Sequence, residues 1–370
     1  MSESGVDVLV VGSGPAGCAA ALAARRAGAQ VLLVDRAEFP RDKVCGDGVA
    51  AQALDVLAVL GVDVDALVAG SAPVRTLRLE SPRGVVARRD TVRPGWVVPR
   101  AVLDARLHQA ALDSGVHFRR QRVRQVRPVP GGMDVDGLRA AVVVAADGAE
   151  SELRRALVGA PRAGTVAVAM RGYTPWHEDG EQLLRLVSQH FPAYAWVFPI
   201  GDGRANVGYG EVLTGAPPTR AHLLQRLGEL LPGVTPTQLR AHKLPLSTGR
   251  VASPDGRVLL VGDAAGLINP VTGEGIYYAV LSGALAGAAA VGGRDPGRAY
   301  RGALRSALGM HFRHTDALSA LSRRPWLLEA GLTAARDDQR TFDEVVELGL
   351  GHGRLGPRTA LRVVRAALHP

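Results

Sequence analysis

Near the start of the chain, Gly12-Ser13-Gly14-Pro15-Ala16-Gly17 have the residue types and spacing to hold a diphosphate. Glycines at the start of a helix leave backbone N–H groups open, and the positive end of the helix dipole adds to their pull on anionic oxygens. Gly12 permits the tight turn. Gly14 lets the diphosphate approach the backbone, and Gly17 lets the helix pack closely on the strand before it. Pro15 and Ala16 belong to the same turn. Asp35, 18 residues after Gly17, stands where a carboxylate accepts hydrogen bonds from an adenosine ribose, with Arg36 beside it.

A second set lies far downstream: Gly262-Asp263, then Asn269-Pro270, then Gly273-Glu274-Gly275-Ile276. An acid at a strand end, a proline loop and glycines at a helix N-terminus make a second anion-complementary surface. NAD has no use for it, whereas FAD does. Asp263 would partner the ribityl hydroxyls and second phosphate, with Gly262 and Pro270 shaping the turn. Gly273, Gly275 and Ile276 would face the isoalloxazine edge that becomes negative on reduction. Between the two sets a strand ends in Asp147-Gly148, an arrangement common in flavoproteins, where it closes the dinucleotide domain beside the cofactor phosphates; alone it proves little.

Elements of two kinds must position these groups. The apolar runs 6–11, 31–34, 141–146 and 257–261 read as buried parallel strands, with Ala-rich helices after the first and last. Short alternating runs at 74–79, 84–88, 165–171, 194–199 and 205–209 predict an antiparallel sheet over the flavin face. Residues 297–370 read as three or four helices broken at Pro325, Gly331, Gly351, Gly353 and Pro357. The expected organisation is an FAD-binding domain from 1–73, 99–160 and 246–300, a substrate domain from 74–98 and 161–245, and a helical region over 301–370.

Composition narrows the function class. A chain of 370 residues that is 47% hydrophobic can bury a sizeable core, which excludes disorder. The net charge of +9 is nearly all arginine and reads as a solvated basic surface. The basic residues form no run with interleaved aromatics, which excludes a nucleic-acid module. Two cysteines, Cys18 and Cys45, build neither a disulfide framework nor a metal site, in keeping with a reducing cytosol. Cys18 reads as a packing residue. No signal peptide and no apolar span of membrane length is present, so the expectation is a cytoplasmic protein, at most peripheral to a membrane. At the C-terminus, 358–368 places Leu361, Val364 and Leu368 on one helical face with Arg362 and Arg365 beside it. That pattern suits an anionic membrane surface or a final docking helix.

The strings VVGSGPAGCAAA, AADG and VGDAAGLINPVTGEG resemble the flavin-dependent hydroxylase superfamily. Arg41-Asp42-Lys43-Val44-Cys45-Gly46-Asp47-Gly48 resembles the Cys-Gly loop of its geranylgeranyl reductases. Tyr194-Ala195-Trp196-Val197-Phe198-Pro199, with Asn206-Val207-Gly208 after a turn, resembles their Tyr-x-Trp-x-Phe-Pro motif. The resemblance covers most of the first 280 residues in order. It implies an α/β chain with a glutathione-reductase-type Rossmann FAD domain, and it places Arg41, Cys45, Gly46 and Arg100 close to the cofactor. Read locally, Arg100 is equally a solvated residue at the start of a helix.

No Ser/His/Asp elbow, metal-ligand cluster or Walker loop is visible, so catalysis belongs to the cofactor and the protein supplies orientation and a shaped cavity. An isolated alkene resists hydride until protonation develops, which calls for a general acid in a water-poor tunnel. Cys45 is the candidate acid or gate. Tyr194, Trp196 and Phe198 are candidates to line the tunnel and stabilise positive charge, although alternate-residue packing alone would also place them on one face. The leading expectation is an FAD-dependent reductase of carbon-carbon double bonds in an isoprenoid or similar apolar chain. The alternatives are an FAD-dependent monooxygenase of a specialised metabolite and a non-catalytic flavoprotein. The electron donor, NADPH or another, leaves no second nucleotide fingerprint.

Overall fold

Runs of Val, Ile and Leu reach their lowest free energy in a sheet covered on both faces. In the computed structural model, which describes residues 5–162, 164–178, 180–187, 192–247, 254, 256–321 and 324–368, these runs form the parallel core of a seven-stranded sheet. Its strands run in the order His117–Arg120, Val31–Asp35, Val6–Val11, Leu138–Ala145, with Val258–Leu260 pairing parallel on the far side of Leu138–Ala145. Val8, Leu9 and Val10 are fully buried at its centre. A hairpin of Arg127–Val129 and Gly132–Val135, which hydrophobic periodicity alone did not mark, extends the edge antiparallel to Leu138–Ala145.

The helix Pro15–Arg26 packs between this sheet and the helix Ile276–Val291. The contact is close because both helices are built from small residues. A Cβ added at Gly283 would lie 2.1 Å from the Ala16 carbonyl oxygen, and one at Gly287 would lie 2.2 Å from that of Ala20. The Ala/Gly-rich composition of the second helix is thus a packing requirement. Among the described residues, no helix is long and apolar enough to cross a membrane.

The second sheet has eight strands, in the order Thr237–Pro245, Val166–Pro175, Arg204–Val212, Ala193–Pro199, Glu181–Val187, Pro73–Glu80, Val86–Val97 and Gly48–Val49. The expectation of an antiparallel sheet needs one correction, since Glu181–Val187 runs parallel to Pro73–Glu80. Tight turns dictate antiparallel direction between hairpin partners, and no turn links these two distant segments. One face of the sheet buries Val168, Met170, Val197, Val207 and Tyr209 against Leu223 and Leu227 of the helix Arg220–Leu230. The other face looks toward the first sheet. Gly48–Val49, carried on the segment between the nucleotide strands and the second sheet, pairs with Val86–Val97 and interlocks the two layers.

Four helices follow among the described residues: Pro296–Leu321, Pro325–Asp337, Gln339–Leu350 and Pro357–Leu368. The expected breaks at Pro325, Gly351, Gly353 and Pro357 coincide with boundaries, but Gly331 lies inside a helix. A mid-helix glycine costs only about 1 kcal/mol, and the burial of Leu328 and Leu332 against Leu77, Leu79 and Ala87 offsets it.

Candidate active site

The first glycine set occupies the turn from Val6–Val11 into Pro15–Arg26. Gly12 has φ +104, and a Cβ added at Gly17 would lie 1.7 Å from the Gly12 carbonyl oxygen, so neither position admits a side chain. Gly14 differs. Among the described residues the only atom within 4 Å of its added Cβ is Arg41 Nη2 at 3.4 Å, so the backbone opens onto space beside a guanidinium. Pro15–Arg26 begins with no side-chain cap and no acid in its first turn, leaving its positive end available. These features fit a diphosphate. Arg41 is anchored by an ion pair to Asp104 at 2.9 Å and lies over the Phe39 ring.

Asp35 receives the Ser13 N–H at 2.7 Å and the Ala37 N–H at 2.8 Å, which still leaves carboxylate lone pairs for a ribose diol. Arg36 beside it is exposed, and Ala16 is buried in the helix. Asp147 turns away. Its carboxylate accepts the Ser151 hydroxyl at 2.6 Å and the Glu152 N–H at 3.0 Å, capping the helix Glu152–Val158, with Gly148 in the turn at φ +80. Gly262, at φ +53, donates its N–H to Ser282 Oγ at 3.0 Å.

A cavity of about 250 Å³ opens between the two sheets. Of the residues singled out in the sequence, it gathers Pro15, Cys45, Gly46, Arg100, Tyr194, Trp196, Phe198, Asp263, Pro270, Gly273, Gly275 and Ile276. Asp147, Gly148, Arg36 and the other members of the first glycine set lie outside its lining.

The two-residue period of Ala193–Pro199 sends Tyr194, Trp196 and Phe198 to the cavity, and Ala195 and Val197 into the core behind. Consecutive rings lie 6.0 and 6.3 Å apart. The Trp196 indole lies over Gly208 so closely that a Cβ there would come within 2.2 Å of Cζ2. The Trp196 N–H donates to Asn206 Oδ1 at 2.8 Å, and the Tyr194 hydroxyl donates to the Thr272 carbonyl.

The Cys-Gly loop meets this wall. Asn206 Nδ2 donates to the Cys45 carbonyl at 2.8 Å and to Asp47 Oδ2 at 2.7 Å, and the Tyr173 hydroxyl donates to the same oxygen at 2.6 Å. Burial pushes the Asp47 carboxyl up to about 6, against the pull of these donors. Burial likewise raises the Cys45 thiol, opposed by Arg100. Arg100 is only 3% exposed and grips Asp104 through two hydrogen bonds of 2.6 and 2.7 Å, so it is not a solvated helix residue. Cys18 is fully buried and its thiol is pushed up to about 12 by burial, the behaviour of a packing residue.

At the far wall, the Lys43 ammonium lies 2.8 Å from Asp263. Burial works to raise the Asp263 carboxyl, but Lys43, helped by His242 and Arg100, outweighs it and holds the group below the usual carboxylate range. Glu274 accepts the Tyr277 N–H at 2.8 Å, at the helix end where Gly273, Gly275 and Ile276 converge. Burial pushes its carboxyl up to about 7.

Several residues at the site escaped the sequence reading. Glu274 and Asp47 each sit between two glycines in segments already noted, and Asn206 lies in the quoted Asn-Val-Gly string; a charged or amide residue inside such a turn was the available signal. Arg171 and His242, which also line the cavity, carry no local signal among the 44 lysines and arginines and the 10 histidines.

Residues 5–205 match the family model described as "FAD binding domain". The chain is 34% identical to a menaquinone reductase of Mycobacterium tuberculosis, over 88% of this chain and 86% of that protein. It is 33% identical to digeranylgeranylglycerophospholipid reductase 1 of Methanopyrus kandleri, over 77% of this chain and 80% of the relative. The crystal structure of a geranylgeranyl bacteriochlorophyll reductase-like protein from Thermoplasma acidophilum shares the fold, with a TM-score of 0.76 and 24% identity, covering 98% of this chain and 95% of that one. Two backbone cradles, a shared fold and relatives matched over most of their length agree: the chain belongs to the FAD binding domain family, within the geranylgeranyl reductase group of FAD-dependent oxidoreductases.

Proposed function

We propose that this enzyme saturates carbon-carbon double bonds in the polyprenyl chain of an amphiphile such as a prenylated quinone or prenyl lipid. The observation that carries the reading is the aromatic wall of Tyr194, Trp196 and Phe198, closed on one side by the Cys45–Gly46 loop and continued by Leu77, Leu79, Leu184, Val345 and Val346. Such a cavity suits a long apolar chain. The two relatives named above take their names from molecules that carry such chains.

In this reading, residues 1–73, 99–160 and 246–300 form the cofactor unit, and 74–98 and 161–245 form the substrate unit. Bound FAD would supply the hydride. Arg41, Gly14 and the start of Pro15–Arg26 hold its diphosphate, Asp35 its ribose, and the turn from Gly273 to Ile276 the edge of its ring. Trp196 and Tyr194 present π faces to positive charge developing on the substrate. Apolar walls exclude water. Cys45 is a weak proton source because burial keeps it a thiol. Glu274 is the better acid, since a group titrating near the working pH donates its proton readily. NADPH is the electron donor to test first.

A peripheral membrane contact is part of the reading. Only Thr359 is buried on the helix Pro357–Leu368, while Leu361, Val364 and Leu368 are 51%, 55% and 71% exposed beside Arg358 and Arg365. An amphipathic helix of this kind rests on anionic lipid and would bring the cavity to a lipid-borne substrate.

The decisive experiment incubates dithionite-reduced holoenzyme with a prenylated naphthoquinone and a geranylgeranyl lipid without oxygen, followed by mass spectrometry. A gain of two hydrogens per bond is expected in the prenyl chain, located by fragmentation and retained after air has reoxidised any quinol ring to the quinone. Products that appear only after oxygen is admitted, heavier by one oxygen atom, would replace the reading with a monooxygenase.

A further inference from the structure

One row of residues crosses six strands of the second sheet. Leu79 pairs with Leu184, Leu184 with Trp196, Trp196 with Gly208, Gly208 with Arg171, and Arg171 with Arg240. Directly opposed residues share a face, and strands lie about 4.8 Å apart, so the row spans about 24 Å. Leu79, Leu184, Trp196 and Arg171 all line the cavity. The chemistry changes along the row from aliphatic to aromatic, then to a bare glycine under the indole, then to cationic. A neighbouring row, Tyr194, Gly210, Ala169 and His242, also ends in a polar ring.

The polar end is incompletely satisfied. The Arg171 residue is 0% exposed, yet only Nη2 is engaged, with the Asp42 carboxylate. The guanidinium also lies 4.6 Å over the Tyr173 ring. Arg171 Nε and Nη1, and His242 Nε2, are buried and have no hydrogen-bond partner among the described residues. Buried donors persist at this expense when something else brings the acceptors. Arg171, Arg240 and Lys43 face Asp42 and Asp263 here, so the formal balance favours a ligand rich in oxygen.

The geometry points to a head-group subsite, in which Arg171 Nε and Nη1 and His242 Nε2 meet the acceptor oxygens of the substrate's polar head, phosphate or quinone carbonyl. The prenyl chain then runs along the open face of the Trp196 indole, whose other side covers Gly208, toward Leu184 and Leu79. This assignment rests on the polyprenyl reading above. The same oxygens have a second source in the ribityl chain or diphosphate of FAD, so the test must separate the two.

The test is a binding titration of the oxidised holoenzyme, read by perturbation of flavin absorbance, with three probes: geranylgeranyl phosphate, a geranylgeranyl naphthoquinone and a headless isoprenoid hydrocarbon of equal chain length. The wild type should bind both headed probes at least about tenfold more tightly than the hydrocarbon. Arg171→Met and His242→Ala should each remove most of that preference while leaving hydrocarbon affinity and FAD content unchanged; if Arg171→Met does not fold, His242→Ala carries the test. Equal binding of all three probes to the wild type overturns the subsite alone. Loss of FAD from the variants, with the head preference kept, assigns the donors to the cofactor and overturns it too. Failure of all three probes to bind removes the polyprenyl reading itself.

Discussion

Asn206 holds the Trp196 indole through Oδ1 at 2.8 Å while its Nδ2 grips the Cys45 carbonyl at 2.8 Å. A single buried amide therefore fixes both the tilt of the aromatic wall and the path of the thiol-bearing loop. Asn206→Leu keeps the approximate volume but strands an indole N–H and a carbonyl, each at about 1–3 kcal/mol. Chemical denaturation should show a loss on the order of 3 kcal/mol. An unchanged midpoint would remove Asn206 as the organiser of the site.

The glycines of the first cradle should separate by experiment. Gly17→Ala forces a Cβ to within 1.7 Å of a carbonyl oxygen and should yield destabilised, colourless protein. Gly14 has ordinary φ −82, and its added Cβ meets only Arg41, so Gly14→Ala should melt normally yet bind FAD at least about tenfold more weakly. Melting curves and the ratio of flavin to protein absorbance report both. A Gly14→Ala protein as yellow as the wild type would move the diphosphate elsewhere.

The Glu274 carboxyl is raised from 4.5 in the unfolded chain to about 7 in the fold. The folded state therefore holds its proton more tightly, and this contribution to stability is fully present below about pH 4.5 and lost as pH rises through about 7. Melting temperature should fall less across that window in Glu274→Gln than in the wild type. Reoxidation of reduced enzyme by substrate should slow above pH 7 in the wild type; in the variant it should be pH-independent there and about 10²–10⁴ slower. A wild-type limb near 7 that persists in the variant would assign the proton to another group.

Leu361 and Val364 are exposed and support no core, so Leu361→Asp/Val364→Asp should melt like the wild type. Its sedimentation with phosphatidylglycerol vesicles should drop by roughly an order of magnitude, and wild-type binding should weaken with salt. Equal sedimentation of the two proteins would end the membrane proposal.

What the sequence disclosed follows from how each feature is encoded. The glycine turn before Pro15–Arg26 was legible because it demands missing side chains at fixed spacing, and buried strands because their apolar runs are contiguous. The parallel pairing of Glu181–Val187 with Pro73–Glu80 was not, since strand direction between distant segments leaves no local pattern. Arg100 read locally as equally a solvated helix residue; Asp104 is its i,i+4 neighbour, and only tertiary packing buries the pair and brings Cys45 beside it. Glu274 and Arg171 carry meaning only through burial, which a single charged letter does not report. Asp147 was placed by analogy of position beside the Gly12 turn, where its backbone lies, but that its carboxylate caps the helix Glu152–Val158 was not legible.

The row from Leu79 to Arg240 runs perpendicular to the chain, so its two extremities are written in stretches of sequence that no single mutation or short recombination can alter together. Drift at one extremity leaves the other intact. Under the head-group subsite proposed above, a lineage built on this scaffold would exchange the polar moiety it accepts while keeping its grip on the hydrocarbon, or lengthen the hydrocarbon while keeping the polar moiety.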